Sequence, residues 1–215
     1  MEKPFRDVPA GTQLIETMLW QPGQGVALHR RHRDRMCLSA RRLGFAFDAA
    51  QFDATLAGVT GAAPLRLRLT LERGGGIEMT AAPVPPPARL WRAAIAPEVL
   101  ASEDPWLQVK STRRALYDRV RANLPAGIDE AIFRNEKGHV CEGTICNLLI
   151  ERAGQWVTPP VSDGVLPGVM RAELLARGAP RVAPVTLADL RAASRLRLCN
   201  ALRGQIEAQL VDWPG

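Results

Sequence analysis

The clearest periodic signal in the chain lies at residues 65–71, where Leu65, Leu67, Leu69 and Leu71 alternate with polar residues. A period of two predicts a half-buried antiparallel strand. After Gly74-Gly75-Gly76, residues 77–82 are expected to pair back beside it. Upstream, residues 13–19 alternate weakly and suit a strand. The turn-rich run Gln21-Pro22-Gly23-Gln24-Gly25 and a short strand at 26–28 complete a hairpin. The period then changes. Met36, Ala40 and Leu43 fall at i, i+4 and i+7, one face of a helix that should stop at Gly44. Asp48 is the expected N-cap of a second, short helix ending near Gly58.

Pro83-Val84-Pro85-Pro86-Pro87 can join no central strand and makes a stiff connector. It sets the predicted boundary: a small N-terminal domain at 1–84, a linker at 85–89 and a second domain at 90–215. In that second part the pattern predicts a strand at 90–95, a loop to Lys110 and a helix over 111–121. Strands follow at 130–134, 139–141, 146–151 and 156–158. Pro167 is expected in the first turn of a helix closed by Gly178. A strand at 182–185, a short helix at 187–193 and strands at 196–199 and 205–211 finish the chain. No internal repeat interrupts this order.

Composition narrows the class without naming it. An apolar fraction of 47% and a charged fraction of 23% are those of a globular protein. No apolar run approaches the ~20 residues that cross a bilayer. The start, Met1-Glu2-Lys3-Pro4-Phe5-Arg6-Asp7, has no apolar signal core, so a cytoplasmic location without membrane attachment is expected. Cys37, Cys141, Cys146 and Cys199 are scattered, with no histidine partner at zinc spacing. Reduced core thiols and no metal site are the expectation. The net charge of +6 raises the question of nucleic acid. The densest basic run, His29-Arg30-Arg31-His32-Arg33-Asp34-Arg35, has no interleaved aromatics, and arginines are spread along the whole chain. No nucleic-acid partner is expected.

One feature of the charge does matter. Of 28 basic residues, only Lys3, Lys110 and Lys137 are lysine. Guanidinium stays protonated, whereas a partly buried lysine can lose its proton and form a Schiff base with a carbonyl. Lys110 sits between the apolar run 105–109 and Ser111-Thr112-Arg113-Arg114, and is therefore a candidate nucleophile. Three further pieces join it. In Cys141-Glu142-Gly143-Thr144-Ile145-Cys146-Asn147 a lone carboxylate ends a strand before a sharp turn. Gly164-Val165-Leu166-Pro167-Gly168-Val169-Met170-Arg171 leads into a helix whose first backbone N–H groups can hold a phosphate. Leu198-Cys199-Asn200-Ala201-Leu202-Arg203-Gly204 is a strand end breaking into a small-residue loop. Amine, acid and phosphate cradle are what a pyridoxal phosphate enzyme requires.

With these residues in order, the chain resembles the class IV aminotransferases, the pyridoxal phosphate enzymes of fold type IV. Leu14-Ile15-Glu16-Thr17-Met18 and His32-Arg33-Asp34-Arg35-Met36 with Ser39-Ala40 extend the likeness upstream, to roughly residues 14–204. The resemblance implies a two-domain α+β fold like that of D-amino acid aminotransferase, with a small N-terminal α/β sandwich and a larger β-rich C-terminal domain. It implies pyridoxal 5'-phosphate as cofactor, Lys110 as the Schiff-base lysine and Glu142 as partner of the pyridine nitrogen. It also places Arg35, Asn147, Gly168, Val169, Met170, Ala201 and Leu202 around the cofactor, with Arg35 on the phosphate. Many transaminases of the family carry hydroxyl residues where Met170 and Ala201 stand, which leaves more of the phosphate here to backbone donors and Arg35. On their own residues, Glu142 could be a cap or surface acid, and Arg35 one solvated arginine among many. His32 is expected as a packed helix residue and His139 as a strand residue. Tyr117 could line the pocket or fill the core. Arg92, Arg113 and Arg114 are candidates, on charge alone, for a substrate carboxylate.

The family's reactions that fit are transamination of branched-chain or D-amino acids and 4-amino-4-deoxychorismate lyase chemistry. The lyase releases 4-aminobenzoate and pyruvate in folate biosynthesis. Lys110-Ser111-Thr112-Arg113-Arg114-Ala115-Leu116-Tyr117-Asp118 is similar to the Lys-Thr-Thr-Arg-Arg-x-x-Tyr-Asp run of lyase modules. The lyase is therefore the expected activity and a transaminase the alternative. Val8-Pro9-Ala10-Gly11 replaces the family's usual Gly-Asp-Gly-like turn, so some pocket wall is expected to be missing, remodelled or supplied by a partner subunit. The resemblance also implies a homodimer.

Overall fold

The computed structural model describes residues 5, 7–87 and 89–213; Lys3, and Ala88 of the linker, lie outside the described residues. The chain divides into two compact units, Met1–Pro86 with Val109–Arg113, and Pro87–Gln108 with Arg114–Gly215. Lys110 thus belongs to the first unit although it follows the proline connector in sequence.

In the first unit, β1 (Leu14–Gln21), β2 (Gly25–Val26), β3 (Leu65–Leu71) and β4 (Ile77–Pro83) form an antiparallel sheet in the order β2-β1-β3-β4. The Leu-Arg alternation of β3 puts Leu67, Leu69 and Leu71 in the core. Helices α1 (His29–Leu43) and α2 (Ala49–Ala57) add Met36, Ala40, Leu43, Phe52 and Leu56 to it. α1 packs on β1 and ends at Gly44, whose left-handed φ of 68° suits glycine. Asp48 caps α2 by accepting from the Ala50 and Gln51 amides. β2 is shorter than its sequence pattern, because Leu28 turns left-handed at φ 54° to start α1. Ahead of β1, Thr12 donates from its amide and hydroxyl to the Pro9 carbonyl and so closes a turn.

Lys110 is fastened to this unit by its backbone. The Ile15 amide donates to the Lys110 carbonyl at 2.8 Å, Ser111 bridges antiparallel to Leu14, and the Thr112 amide donates to Gln13. This pairing corrects the predicted helix over 111–121. Residues paired to a strand cannot be helical, and α3 runs only Ala115–Ala122.

The second unit is built on an eight-stranded mixed sheet. Its strands are β5 (Trp91–Leu100), β6 (Glu130–Asn135), β7 (Val140–Gly143), β8 (Asn147–Arg152), β9 (Gln155–Thr158), β10 (Pro180–Val182), β11 (Leu196–Asn200) and β12 (Gly204–Val211). Their order is β10-β9-β8-β11-β12-β5-β6-β7. Both faces are covered. Ile132, Leu148, Ile150 and Leu198 join one cluster, while their neighbours Ala131, Phe133 and Cys141 join another with Val120 of α3. Leu149 and Cys199 pack with Leu174 of α4 (Val169–Ala176). α5 (Leu187–Ala192) is closed by a reciprocal capping box between Thr186 and Asp189.

Two further expectations are corrected here. Pro167 precedes the helix instead of starting it, because Gly168 is still extended (φ −66°, ψ 144°) and is itself the N-cap of α4. The strand expected at 182–185 lies at Pro180–Val182, where parallel pairing with β9 fixes its position. The four cysteines are free thiols, three of them buried. Among the described residues no helix is long and apolar enough to cross a membrane.

Candidate active site

The candidate residues Glu142, Asn147 and Gly168 of the second unit gather where β7 ends. β7 carries one more residue than β6 between the pairs Ile132–Gly143 and Arg134–Val140, a bulge that contains Glu142. A bulge re-aims side chains that strict alternation would send elsewhere. Gly143 then donates to the Cys146 carbonyl at 2.7 Å, closing a tight turn into β8. A Cβ on Gly143 would lie 2.8 Å from Cγ of Glu130, so only glycine lets that carboxylate lie beneath the turn.

Glu130 is fully buried and organises this turn. It accepts from the Thr144 amide at 2.9 Å, the Thr144 hydroxyl and the Ile145 amide at 3.3 Å, with Arg121 at 3.4 Å. Burial raises its pKa, and the Thr144 hydroxyl and Arg121 partly offset the rise. Thr144 is gripped from α3 as well: Arg114 donates to its carbonyl and Arg121 to its hydroxyl. Sequence reading missed Glu130. Its signal was a carboxylate directly before the apolar run Ala131-Ile132-Phe133.

Glu142 is 5% exposed. Tyr117 donates to its Oε1 at 2.9 Å; the Leu166 amide and Asn147 Nδ2 donate to Oε2 at 2.9 and 3.1 Å. An ionised carboxylate is acceptor-only, and three donors suit that form. Asn147 also donates to the Leu166 carbonyl, tying β8 to the segment before α4. Gly168 comes closest of all: a Cβ there would lie 1.9 Å from Asn147 Oδ1. Glu142, Asn147 and Gly168, separate in sequence, are thus one packed group. Tyr117 packs against the core, with its ring edge-on to Phe133 at 5.0 Å, and its hydroxyl reaches Glu142.

At α4, Gly168 makes no side-chain cap, so the helix start presents backbone donors at Val169 and Met170. Met170 packs against the Leu149–Leu174–Cys199 cluster. Arg171 is buried and donates to the Pro159 carbonyl and the Thr158 hydroxyl, anchoring the helix; burial lowers its pKa. The Ala201–Leu202 loop follows β11, where Cys199 pairs with Asn147 in register. Asn200 Oδ1 accepts from the Leu202 and Arg203 amides, which fixes that loop. Arg114, a carboxylate-binding candidate by charge, is engaged by Asp118, the Thr144 carbonyl and the Tyr117 ring.

The first unit holds Lys110 and Arg35, and β1 organises both. Ile15 carries the Lys110 backbone pairing described above. Its neighbour Glu16 is 1% exposed and takes a two-pronged bond from Arg35, Nε at 2.8 Å and Nη2 at 2.5 Å. Fully buried His32 lies with Nδ1 2.6 Å from the same carboxylate. Burial would raise Glu16, but Arg35 and His32 bring its pKa down to about 2. His32 is therefore the packed residue expected. The guanidinium has five N–H donors in a planar fork, so the bond to Glu16 orients Arg35 without exhausting it.

The sequence profile described as Amino-transferase class IV matches residues 13–210. The chain belongs to the class IV aminotransferases. Three relatives of this class IV chain illustrate its range. A crystal structure from Mesorhizobium loti, provisionally named an amino-acid aminotransferase, is 39% identical and covers 93% of this chain and 100% of that one, with a TM-score of 0.86. The 4-amino-4-deoxychorismate lyase of Pseudomonas aeruginosa is 26% identical over 97% of this chain and 88% of that one, with a TM-score of 0.80. A Schizosaccharomyces pombe protein, provisionally named an aminodeoxychorismate lyase, is 29% identical over 174 residues, covering 78% of this chain and 74% of that one. This class IV aminotransferase is an enzyme with the expected two-part α+β architecture.

Proposed function

We propose that this class IV enzyme uses pyridoxal 5'-phosphate to convert 4-amino-4-deoxychorismate to 4-aminobenzoate and pyruvate. The observation that carries the cofactor reading is the group at Glu142. A buried carboxylate with three hydrogen-bond donors stands beside a glycine-capped helix start that no side chain closes. That donor set fits a ligand with a protonated ring nitrogen at one end and a phosphate at the other.

In this reading Glu142 pairs with the ring nitrogen. The amides of Val169 and Met170 and the Ala201–Leu202 loop would hold the phosphate, with Asn147 and Gly168 as the floor, and the family resemblance assigns Arg35 to the phosphate as well. Lys110 would hold the cofactor covalently through Nζ. When bound, the cofactor supplies an electron sink for the carbon that carries the substrate nitrogen. Lys110 Nζ, when free as an amine, would take the proton from that ring carbon. The bond to the enolpyruvyl oxygen breaks, the ring becomes aromatic, and protonation of the departing enolate gives pyruvate. No keto acid is consumed.

The similarity of residues 110–118 to lyase modules and the two lyase-named relatives support this substrate. The 39% identity to a chain named an aminotransferase favours a second reading, amino-acid transamination at the same residues. Incubating the purified, cofactor-loaded protein with aminodeoxychorismate alone separates the two. Release of 4-aminobenzoate without a keto acid is the expected result. Turnover only with an amino acid and a keto acid together would replace the lyase by the transaminase.

A further inference from the structure

One helix face reaches the Glu142 turn. Arg114 caps α3, and Tyr117 and Arg121 follow at spacings of three and four, which puts them on one side of the helix. Arg114 donates to the Thr144 carbonyl at 3.0 Å and Arg121 to the Thr144 hydroxyl at 3.1 Å. Between them, Tyr117 donates to Glu142 Oε1 at 2.9 Å. Its ring has little freedom, packed edge-on to Phe133 and beneath the Arg114 guanidinium at 5.7 Å. Burial, and then the Glu142 carboxylate, push the phenol far above its ordinary range. The hydroxyl is thereby kept as the donor to Glu142.

We propose that Tyr117 is a positioning residue that holds the negative charge on Glu142 and so acts on the reaction through that carboxylate, without touching substrate. This rests on the reading of Glu142 as partner of the cofactor's ring nitrogen. A desolvated carboxylate keeps its charge only while donors replace the lost water, and deleting one makes it hold a proton more tightly. Asn147 and the Leu166 amide serve Oε2, and Tyr117 brings the donor from α3 to Oε1. The proton that Glu142 should leave on its partner then shifts toward Glu142 itself, and the electron sink weakens. Arg114 and Arg121 donate to Thr144 and fix the turn, while Tyr117 serves the carboxylate.

The test is Tyr117→Phe in the cofactor-loaded enzyme, which removes the hydroxyl and keeps the ring in place. The pH dependence of the bound cofactor's visible absorption should move relative to wild type, and kcat should fall roughly tenfold with KM little changed. The melting temperature of the cofactor-free protein should stay within a few degrees of wild type. In a Glu142→Gln background the same substitution should add little to either reading, because its route has been removed. An unmoved absorption titration, or an equal effect in the Glu142→Gln background, would overturn the proposal and leave the cofactor reading standing. Wild-type protein that takes up no pyridoxal phosphate would overturn both.

Discussion

Two single residues bear most directly on the proposed chemistry. Lys110 is one of three lysines in an arginine-rich chain, and its backbone is bound to β1 independently of its side chain. Lys110→Ala should therefore abolish turnover while leaving circular dichroism and the melting temperature unchanged. Residual turnover near the wild-type rate would remove Lys110 from the mechanism. Gly168 is demanding in a different way. Its φ of −66° suits any residue, so its requirement is purely steric: a methyl group would lie 1.9 Å from Asn147 Oδ1. Gly168→Ala must push Asn147 away from Glu142, and overpacking of this kind costs about 1–3 kcal/mol. Thermal melts should show that loss, and a pyridoxal phosphate titration should show weaker binding. Lys110 stood out in the sequence because composition exposes it. The close approach of Gly168 to Asn147 did not, because it joins residues 21 apart on different elements.

At the scale of elements, the β1–α1 pair stands on a buried ion cluster. Glu16, Arg35 and His32 face one another in the first unit, and the Glu16 pKa is about 2, against 4.5 for a free carboxyl. A depressed folded-state value stabilises the protein fully above about pH 4.5, and that contribution disappears as pH falls toward 2. Acid unfolding followed by circular dichroism should show a loss across this window. Glu16→Gln should flatten it and cost roughly 3–5 kcal/mol at neutral pH, since Arg35 is left without its charge partner. An acid transition unchanged by the substitution would show that the cluster does not hold the two elements together. The elements themselves were largely legible. β3 matched its alternation, α1 stopped at Gly44 and α2 began after Asp48, because caps and periodicity are local properties. The helix expected from 111 began at Ala115, because Ser111 pairs with Leu14 about a hundred residues away. The bulge at Glu142 was equally invisible, since it exists only relative to β6.

For the molecule as a whole, the family likeness leads us to propose a homodimer. Sedimentation should give twice the 23.5 kDa chain mass, and a monomer at all concentrations would refute it. Residue order alone determined the family and the α+β class and singled out Lys110, Glu142 and Arg35 as candidates, because spacing along the chain is preserved without reference to folding. Only the tertiary structure decided how those residues are held. It sent 109–113 to the edge of β1 and set Glu130 beneath the Gly143 turn. It also brought Tyr117 and Asn147 onto one carboxylate. These are long-range pairings, fixed when desolvated polar groups must find donors and acceptors from other elements, and no local pattern encodes them.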